Sequence, residues 1–528
     1  MAAHDRPWQE GQRLHINDLP EEVIQVITNY LPLGDRKNLS MVSPPWDRHA
    51  FSHGNMDDIK LRIRGPGIEH RDLQSLYKTG RRFRHLSYFS GDPSGEIDFA
   101  MLMKVFTVLG PSVQSIILTN RCTLRQLKEL VIKLPRLQIL SVGVVLAGDE
   151  PLSDFPDMQN LRELYMSSNT SFESCLMTSR AAPRIRTLSL NLNARVDTIE
   201  HSLTFIGHYQ QQLESLHLDA PRAGMLLNQL SLRQLHTLEL SNIYCNRDAR
   251  ELCILFQNLP VLRVALLRFT VTNQVLDVIC NNCAGLYKLR FMVEELVGNA
   301  FRLLVNLNRL RELLIDDRIK GYMILDCPPL NNVEYLSLST NPIQSDRAGA
   351  SMEQLSHLFP RLRTLQINIS SRLDMNNEFL FGVGYYFSQI TCLFMESASM
   401  CSNMTGDLIL PLAFKHLKQL TNLQELTLSC MPLMAECGKA SKANCLFINF
   451  QQLCNGDFEE PPLTNLRRLK LKNCNWVTGH LFQYVSALCP ALQYLEVRRC
   501  RMIRLEDINM WRTALPNCVF HYIHTNLH

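Results

Sequence analysis

The amino-acid sequence predicts an α/β repeat protein in which short parallel strands alternate with helices along one array. Three observations support this prediction. A short apolar phrase recurs sixteen times between Phe83 and Val497, and helix-like stretches lie between many of its copies. The copies are spaced 22 to 43 residues apart, with a mean of about 27. A period of this size is typical of arrays in which each repeat packs only against its neighbours.

The recurring phrase has the pattern of a half-buried strand. Its first, fourth and sixth residues are apolar, as in LQILSV from Leu137 and LRRLKL from Leu466. Residues two apart on a strand point to the same side, so Leu164 and Met166 are expected inside and their neighbours outside. The pattern and its period are those of the leucine-rich repeat.

The stretches between the phrases predict helices that end at a proline. LKELVIKLP ends at Pro135, ELCILFQNLP at Pro260 and FQYVSALCP at Pro490, each with leucines near helical spacing. An Asn or Cys follows several strands, where the repeat consensus places a buried turn residue: Asn169, Asn193, Asn341, Cys474 and Cys500. The expected fold is a leucine-rich-repeat solenoid with a curved parallel sheet on its concave side and helices on its convex side. Its outward strand residues would hold a protein surface.

Composition narrows the classes of partner and compartment. The chain has 528 residues and a net charge of +4, which is too small to indicate nucleic-acid binding. No apolar run reaches the ~18 residues of a membrane span, and the start, MAAHDRPWQEGQ, lacks the apolar core of a signal peptide. The 17 cysteines, an odd number, favour buried thiols over a disulfide framework. We therefore expect an intracellular chain, cytoplasmic or nuclear, that binds neither nucleic acid nor membrane.

A small helical unit is predicted before the repeats. Pro20 suits a first helical position, and Glu21 and Glu22 follow where negative charge favours the helix dipole. A second short helix is expected from Asp35, as its N-cap, towards Val42. The first helix carries a wide apolar stripe: Val23, Ile24, Ile27, Tyr30 and Leu31. About 40 residues cannot bury this surface alone, so it either caps the first repeat or binds a partner.

The stretch from Leu19 to Trp46, LPEEVIQVITNYLPLGDRKNLSMVSPPW, resembles the F-box. The resemblance lies in the Leu-Pro-x-Glu opening, the first helix ending in a leucine, and the closing Val-Ser-x-x-Trp. Together with the repeats, nearly the whole chain resembles the F-box leucine-rich-repeat proteins. The resemblance implies a polar tail over 1–12, a small all-α F-box over 13–55 and the repeat solenoid over 56–528.

That family resemblance also implies a function. The F-box would bind a Skp-type adaptor, and through it the cullin and RING subunits of an SCF-type ubiquitin ligase, while the repeats would bind the protein target. The chain itself would be non-catalytic and would need no cofactor. Carried over by position, the adaptor face would consist of Leu19, Pro20, Val23, Ile24, Ile27, Leu31, Leu39, Val42 and Trp46. The alternative is a ligase-independent scaffold whose N-terminal helices only cap the array.

The chain departs from the F-box pattern at Pro44 and Pro45, where the family usually continues its last helix. Proline lacks a backbone donor and disfavours helical geometry in the residue before it. The helix is therefore expected to stop or kink near Ser43, with Trp46 displaced. Beyond it, IKLRI, from Ile59 to Ile63, predicts a first strand that joins the helices to the array.

Candidate target-binding residues lie near the end of the array. Arg468, Lys470 and Lys472 project from one strand, Arg498 projects from the next, and Arg499, Arg501 and Arg504 follow in the adjoining turn. Because neighbouring strands lie about 5 Å apart, this basic cluster could receive an acidic or phosphorylated segment. The alternative is a solvated face that Glu496 partly neutralises. Insertions near 397–411 and 431–462 either complete the binding surface or are tolerated loops.

Signals for metal binding or catalysis are weak. Cys280-Asn-Asn-Cys283 has metal or redox spacing but has no second pair, so core cysteines are expected. His521, His524 and His528 close the chain, and a fraying end is expected there. No local signature of a catalytic triad or of paired carboxylates occurs. We expect no metal site and no catalytic residue.

Overall fold

A computed structural model describes the chain over residues 19–52, 54–57, 59–65, 70–78, 81–90, 97–145, 154–178, 181–192, 196–221, 223–243, 245–293, 300–316, 327–340, 348–369, 377–397, 417, 419–429, 463–474, 489–500 and 503–523. The chain divides into two compact units, Met1–Leu213 and Glu214–His528. Each unit is an α/β repeat array with parallel strands on one side and helices on the other.

The first unit opens with three short helices and continues with six strands. The helices are α1 (Glu21–Tyr30), α2 (Leu33–Ser40) and α3 (Pro44–Ala50). The repeats then run β1 (Lys60–Gly65), α4 (His70–Lys78), β2 (His85–Ser90), α5 (Phe99–Leu109), β3 (Ser115–Cys122), α6 (Leu124–Ile132), β4 (Ile139–Val145), β5 (Glu163–Ser167), α7 (Thr170–Thr178), β6 (Thr187–Asn191) and α8 (Val196–Tyr209). Strands β1 to β6 pair in parallel and in chain order.

The second unit contains twelve strands among its described residues. Its elements are β7 (Ser215–Asp219), α9 (Ala223–Leu227), β8 (Thr237–Ser241), α10 (Cys245–Gln257), β9 (Val264–Val271), α11 (Asn273–Asn282), β10 (Lys288–Val293), α12 (Ala300–Leu303), β11 (Glu312–Ile315), β12 (Tyr335–Thr340), α13 (Ala348–Leu358), β13 (Thr364–Ile369), α14 (Asn377–Tyr386), β14 (Cys392–Ser397), β15 (Glu425–Ser429), β16 (Arg468–Lys472), β17 (Tyr494–Arg498), α15 (Leu505–Ala514) and β18 (Val519–Ile523). These strands also pair in parallel and in chain order.

The apolar phrase predicts the strands accurately. All sixteen copies form β2 to β17, and each strand begins two residues after the first apolar residue of its copy. In register, Leu140 lies beside Leu164 and Leu164 beside Leu188, and all three are fully buried. Stacked ladders of this kind form the core of each unit, because each strand buries the same face as its neighbours. The α/β repeat prediction is confirmed.

The Asn and Cys turn residues also lie where the repeat pattern predicts them, with Asn169 half-buried and Cys474 and Cys500 buried. The Asn169 amide donates to the Val145 carbonyl at 3.2 Å, and its oxygen accepts from the Phe172 amide at 2.9 Å. The thiols of Cys474 and Cys500 donate to the carbonyls of Leu428 and Leu471. Each side chain satisfies a backbone group of its own or a neighbouring coil. Asn193 and Asn341 lie outside the described residues.

Several expected boundaries differ in the structure. Helix α2 begins at Leu33, so Asp35 lies in its first turn and is not the N-cap. The first strand, predicted over Ile59–Ile63, forms as β1 over Lys60–Gly65. His521, expected in a fraying end, lies in β18, which pairs with β17. The tail 1–12, the insertion 431–462 and the helix expected before Pro490 fall outside the described residues.

Pro44 and Pro45 start a helix and do not end one. Helix α2 ends at Ser40, and α3 begins at Pro44 with an extended Ser43 before it. In the first turn of a helix the backbone N–H groups have no carbonyl partner within the helix. Two prolines at these positions therefore remove no intrahelical hydrogen bond. The interruption near Ser43 is confirmed, and Trp46 lies in the first turn of the new helix.

Candidate partner-binding surfaces

A buried polar hub holds the three N-terminal helices together. The Asn55 amide donates to the Thr28 hydroxyl at 3.0 Å and to the His49 carbonyl at 2.7 Å. The Arg36 guanidinium donates to the Leu31 carbonyl at 2.8 Å and to the Asn55 carbonyl at 2.6 Å. Because Thr28 is on α1, Arg36 on α2 and His49 on α3, these bonds fix the arrangement of all three helices. A satisfied buried network of this kind specifies one packing.

The same helices are attached to the first strands. The Arg81 guanidinium donates to the Asp47 carboxylate at 2.7 Å and lies 3.7 Å from the centre of the Phe51 ring. Arg84 forms a second ion pair with Asp57 at 2.7 Å. Arg81 and Arg84 precede β2, and Asp47 and Phe51 lie at or just after α3. The helical segment is thereby held against the start of the array in the first unit.

Helix α1 exposes an apolar stripe on the side away from the hub. On a helical wheel its members lie within an arc of about 100°, and their exposed fractions are large: Val23 42%, Val26 54%, Ile27 37% and Tyr30 85%. Leu33 on α2, with Met41 and Val42 after it, is also exposed. Exposed apolar surface of this extent is costly in water unless a partner covers it. The stripe together with Leu33, Met41 and Val42 is called the apolar face below.

The residues expected to bind an adaptor divide into two groups. Ile24 and Trp46 are buried, at 7% and 2% exposed, and pack inside the helical segment. In this structure they support the apolar face and do not form it. The remaining seven keep some surface: Leu19, Pro20, Val23, Ile27, Leu31, Leu39 and Val42. Their binding role remains a prediction.

Sequence reasoning missed three members of the apolar face and the hub beneath it. Val26 and Tyr30 lie three and seven residues after Val23, which is the spacing of one helix face. That signal was present in the sequence. The burial of Ile24 was not, because it depends on how the three helices pack together. The missed residues are Val26, Leu33 and Met41 on the face, and Thr28, Arg36 and Asn55 in the hub.

The basic cluster on β16 and β17 is partly neutralised from a neighbouring strand. Lys470 forms an ion pair with Glu425 on β15, and Arg468 lies 3.9 Å from the same carboxylate. Lys472 and Arg498 lie side by side in register, and neither forms an ion pair among the described residues. Like charges directly opposite each other on a sheet repel. Among the strand residues of the predicted site, the charges that Glu425 leaves unpaired are therefore those of Lys472 and Arg498, while Arg501 lies outside the described residues.

Elsewhere the outward face of the second unit is internally paired. The Arg268 guanidinium on β9 forms an ion pair with the Glu239 carboxylate on β8 at 2.7 Å. Lys288 on β10 lies 2.7 Å from Glu312 on β11, and Arg290 pairs with Asp316. Charges on neighbouring strands thus satisfy each other across the sheet. This part of the face carries little unbalanced charge for a partner.

The two candidate cysteine ligands belong to the core. Cys280 and Cys283 are buried, and burial raises the pKa of each thiol to about 12. The Cys283 thiol donates to the carbonyls of Phe256 and Leu259. Buried thiols of this kind are poor nucleophiles and poor metal ligands. Among the described residues, no group of three His, Cys, Asp or Glu side chains is placed to hold a metal ion.

No membrane-spanning segment occurs among the described helices, since none combines the required length with sufficient hydrophobicity.

Comparison with known proteins does not assign the chain to a family. No family model matches the chain, and no curated protein matches it. Among solved structures, a complex of Rad7 and Elc1 from yeast aligns with 95% of this chain and 92% of the other, at 13% identity and a TM-score of 0.34. A complex of TLR13 with single-stranded RNA aligns with 91% of this chain and 68% of the other, at 14% identity and a TM-score of 0.40.

Proposed function

We propose that the chain is the target-binding subunit of an SCF-type ubiquitin ligase. In this proposal the N-terminal helices bind a Skp-type adaptor, the repeats bind a protein target, and the cullin and RING subunits carry out ubiquitin transfer. The chain contributes binding and positioning but no catalytic residue, and it acts in the cytoplasm or the nucleus.

The apolar face carries the proposal. Val26, Tyr30 and Val42 are more than half exposed, although the hub beneath them is fully packed. A helical segment that only capped the array would need apolar residues on its inner side alone, with a polar outer side. Instead α1 presents Val23, Val26, Ile27 and Tyr30 outward, which is the arrangement that a helix-in-groove partner recognises. The resemblance of residues 19–46 to the F-box identifies that partner as a Skp-type adaptor.

The contacts on the inner side of the N-terminal helices support a role in positioning a bound target. Arg81 bridges Asp47 and the Phe51 ring, so the adaptor-binding helices are tied to the first strands by a charged contact and a cation–π contact. A ligase subunit benefits from such an attachment, because the position of a bound target relative to the ubiquitin donor then stays fixed. The ligase-independent scaffold accounts for these inner contacts equally well. It gives no reason for the apolar face.

The adaptor proposal is tested by co-purification. The full-length chain and a Skp-type adaptor are expressed together, and wild type is compared with a double variant, Leu19→Ala with Pro20→Ala. Both residues keep surface in the structure, and the carbonyl of Pro20 retains its role for the amides of Val23 and Ile24 after substitution. We expect the adaptor to co-purify with wild type and to be strongly reduced with the variant. Equal recovery from both would exclude the F-box proposal.

For the target, we propose that Lys472 and Arg498 contribute to capture of an acidic or phosphorylated segment. Charge reversal of both, Lys472→Glu with Arg498→Glu, should weaken target recovery and leave adaptor recovery unchanged. Lys470→Gln provides the matched comparison, because that lysine is already paired with Glu425 and should matter less. Target recovery that is unaltered by the double reversal would remove this cluster from the target-binding surface.

A further inference from the structure

A second basic region lies in the second unit, at the edge of the sheet where the strands begin. Arg263, Arg311 and Arg363 immediately precede β9, β11 and β13, and Arg309 and Arg361 lie two residues before Arg311 and Arg363. All five side chains are exposed. Together they are called the arginine rim.

The arginine rim lines two neighbouring cavities. The first, of about 580 Å³, is lined by Arg263, Arg309, Arg311 and Arg361, with Tyr287 and Glu334. The second, of about 610 Å³, is lined by Arg311 and Arg363, with Tyr287, Glu334, Tyr335 and Thr391. The two share Tyr287, Arg311 and Glu334, so they form one continuous hollow along the rim.

The charge of the rim is unbalanced, in contrast to the outward face of the same strands. None of the five arginines lies within 4.0 Å of a carboxylate oxygen in the part of the chain that the structure describes, whereas Arg268, Lys288 and Arg290 all do. Glu312 lines the second cavity but is paired with Lys288. Five guanidinium groups around one partly buried carboxylate, Glu334, leave a strong excess of positive charge. An anion is the complementary ligand.

Backbone hydrogen bonds fix the spacing of the rim. The Arg311 amide donates to the Tyr287 carbonyl at 2.8 Å, the Glu334 amide to the Arg311 carbonyl at 2.9 Å, and the Arg363 amide to the Glu334 carbonyl at 2.9 Å. These residues therefore continue the parallel ladder, in which neighbouring strands lie about 4.8 Å apart. Arg311 and Arg363 are two strands apart, and their backbones are separated by about 10 Å.

Each of these two positions carries a pair of arginines. Leu310 is buried between Arg309 and Arg311, and Leu362 is buried between Arg361 and Arg363. Arg309 and Arg361 lie in the turn before each strand, and the side chains of both members of each pair are exposed and line the hollow. Two guanidinium groups match the charge of a phosphate, about −1.5 to −2, better than the single charge of a carboxylate. A peptide in the polyproline II conformation has three residues per turn and rises about 3.1 Å per residue, so side chains three residues apart lie on one side and span about 9 Å, close to the ~10 Å between the pairs.

We infer that the arginine rim binds a segment of a partner protein that adopts the polyproline II conformation and carries two phosphorylated residues three positions apart. Arg309 and Arg311 hold one phosphate, and Arg361 and Arg363 hold the other. The flat sides of Tyr287 and Tyr335 contact the peptide between them. The inference gives the protein target of the proposed function a defined chemistry, and it rests on the repeats binding a target but not on the adaptor.

The test uses purified full-length chain without adaptor and short fluorescent peptides, measured by fluorescence anisotropy. The first probe is a Gly/Ser peptide with two phosphoserines three positions apart. The others are the unphosphorylated peptide, a peptide with adjacent phosphoserines, and an oligouridine. The variant Arg311→Glu with Arg363→Glu is compared with Arg125→Glu with Arg512→Glu, which reverses two exposed arginines on α6 and α15 and changes the net charge equally. Thermal melting confirms that both variants fold.

We expect the first probe to bind wild type more tightly than any other peptide, with affinity that falls as salt rises. The rim variant should weaken binding by about tenfold or more, and the control variant by less than about twofold. Arg311→Lys with Arg363→Lys should retain part of the affinity, because lysine keeps the charge but loses the bidentate fork.

Equal binding of the first probe by the rim and control variants would overturn the inference, as would equal binding of the peptide with adjacent phosphates. Oligouridine that binds more tightly than the first probe and is released by the rim variant would assign the rim to nucleic acid and also overturn it. Because adaptor is absent from the experiment, none of these results affects the adaptor proposal.

Discussion

The N-terminal helices and the repeat coils treat apolar residues in opposite ways. In the coils, ladder residues such as Leu238, Leu289 and Leu313 are fully buried, because every coil is covered by the coils before and after it. In the helices, Tyr30 and Val42 stay more than half exposed. The coils therefore complete their own core, while the helices leave apolar surface uncovered among the described residues. Folding accounts for the first region, and the proposed adaptor binding would account for the second.

The largest effect on stability is expected when a buried side chain of the coils is shortened to alanine, in comparison with an exposed side chain of α1. Leu289→Ala in the ladder should reduce the free energy of unfolding by about 2–5 kcal/mol, because it removes buried contacts and leaves a cavity. Val26→Ala on α1 should change it by less than about 0.5 kcal/mol, since the side chain is exposed. Urea denaturation of the two variants and wild type measures both. Similar losses from both substitutions would mean that the apolar face is part of the folded core.

A pH effect is expected from the coils of the first unit. Glu173 on α7 is buried, accepts hydrogen bonds from the Ser168 and Ser202 hydroxyls, and lies 3.7 Å from His201 on α8. Burial outweighs these bonds and raises the pKa of Glu173 from 4.5 to about 7. The folded state thus holds this proton more tightly than the unfolded state. The stabilisation of the folded state by this bound proton is complete below about pH 4.5 and is lost as the pH rises through about 7.

The size of this loss is on the order of 3 kcal/mol, since one pKa unit corresponds to about 1.36 kcal/mol. Glu173→Gln should remove most of the dependence and make the chain more stable than wild type at pH 8. Thermal melting from pH 4.5 to 8 follows both proteins. Parallel pH profiles for the variant and wild type would contradict the raised pKa.

A smaller effect is expected from the hub. Asn55→Ala removes the donor to the Thr28 hydroxyl and the His49 carbonyl and should cost about 1–3 kcal/mol, because buried partners lose their hydrogen bonds. Hydrogen exchange should locate the loss in α1 to α3. Asn258→Ala, which removes one exposed hydrogen bond at the end of a repeat helix, is the control and should change stability little. Exchange that is accelerated in the coils and not in the helices would argue against a separate hub.

The smallest effect concerns the attachment between the two regions. Asp47→Asn breaks the ion pair with Arg81 and should cost at most about 1 kcal/mol, because both side chains are partly exposed. Limited proteolysis should nevertheless cut faster between α3 and β2 in the variant. An unchanged cleavage rate would show that the Arg81 contact does not hold the helices on the array.

The repeats could be predicted from the sequence because their structure follows from local periodicity. Each phrase alternates inward and outward residues, and its recurrence defines where every strand from β2 to β17 begins. The last strand, β18, was missed because CVFHYI lacks the phrase. It forms through backbone pairing with β17, and no side-chain pattern in the sequence predicts that pairing.

The binding surfaces could be predicted only in part. Helical spacing identifies Val23, Val26, Ile27 and Tyr30 as one face, but the burial of Ile24 and Trp46 depends on how three helices pack together. The pairing of Lys470 with Glu425 joins residues 45 positions apart, on either side of an insertion. Such contacts depend on which strands become neighbours, and this is known only after the sheet is assembled.

The most direct test of the central claim is a titration of purified Skp-type adaptor against the full-length chain. Val23→Lys with Ile27→Lys alters the apolar face, and Val108→Lys with Ile132→Lys alters residues of similar exposure on α5 and α6. The account predicts binding to wild type, a loss of about a hundredfold or more in the first variant, and unchanged affinity in the second. Absence of binding to wild type, or equal affinity of the first variant and wild type, would contradict it.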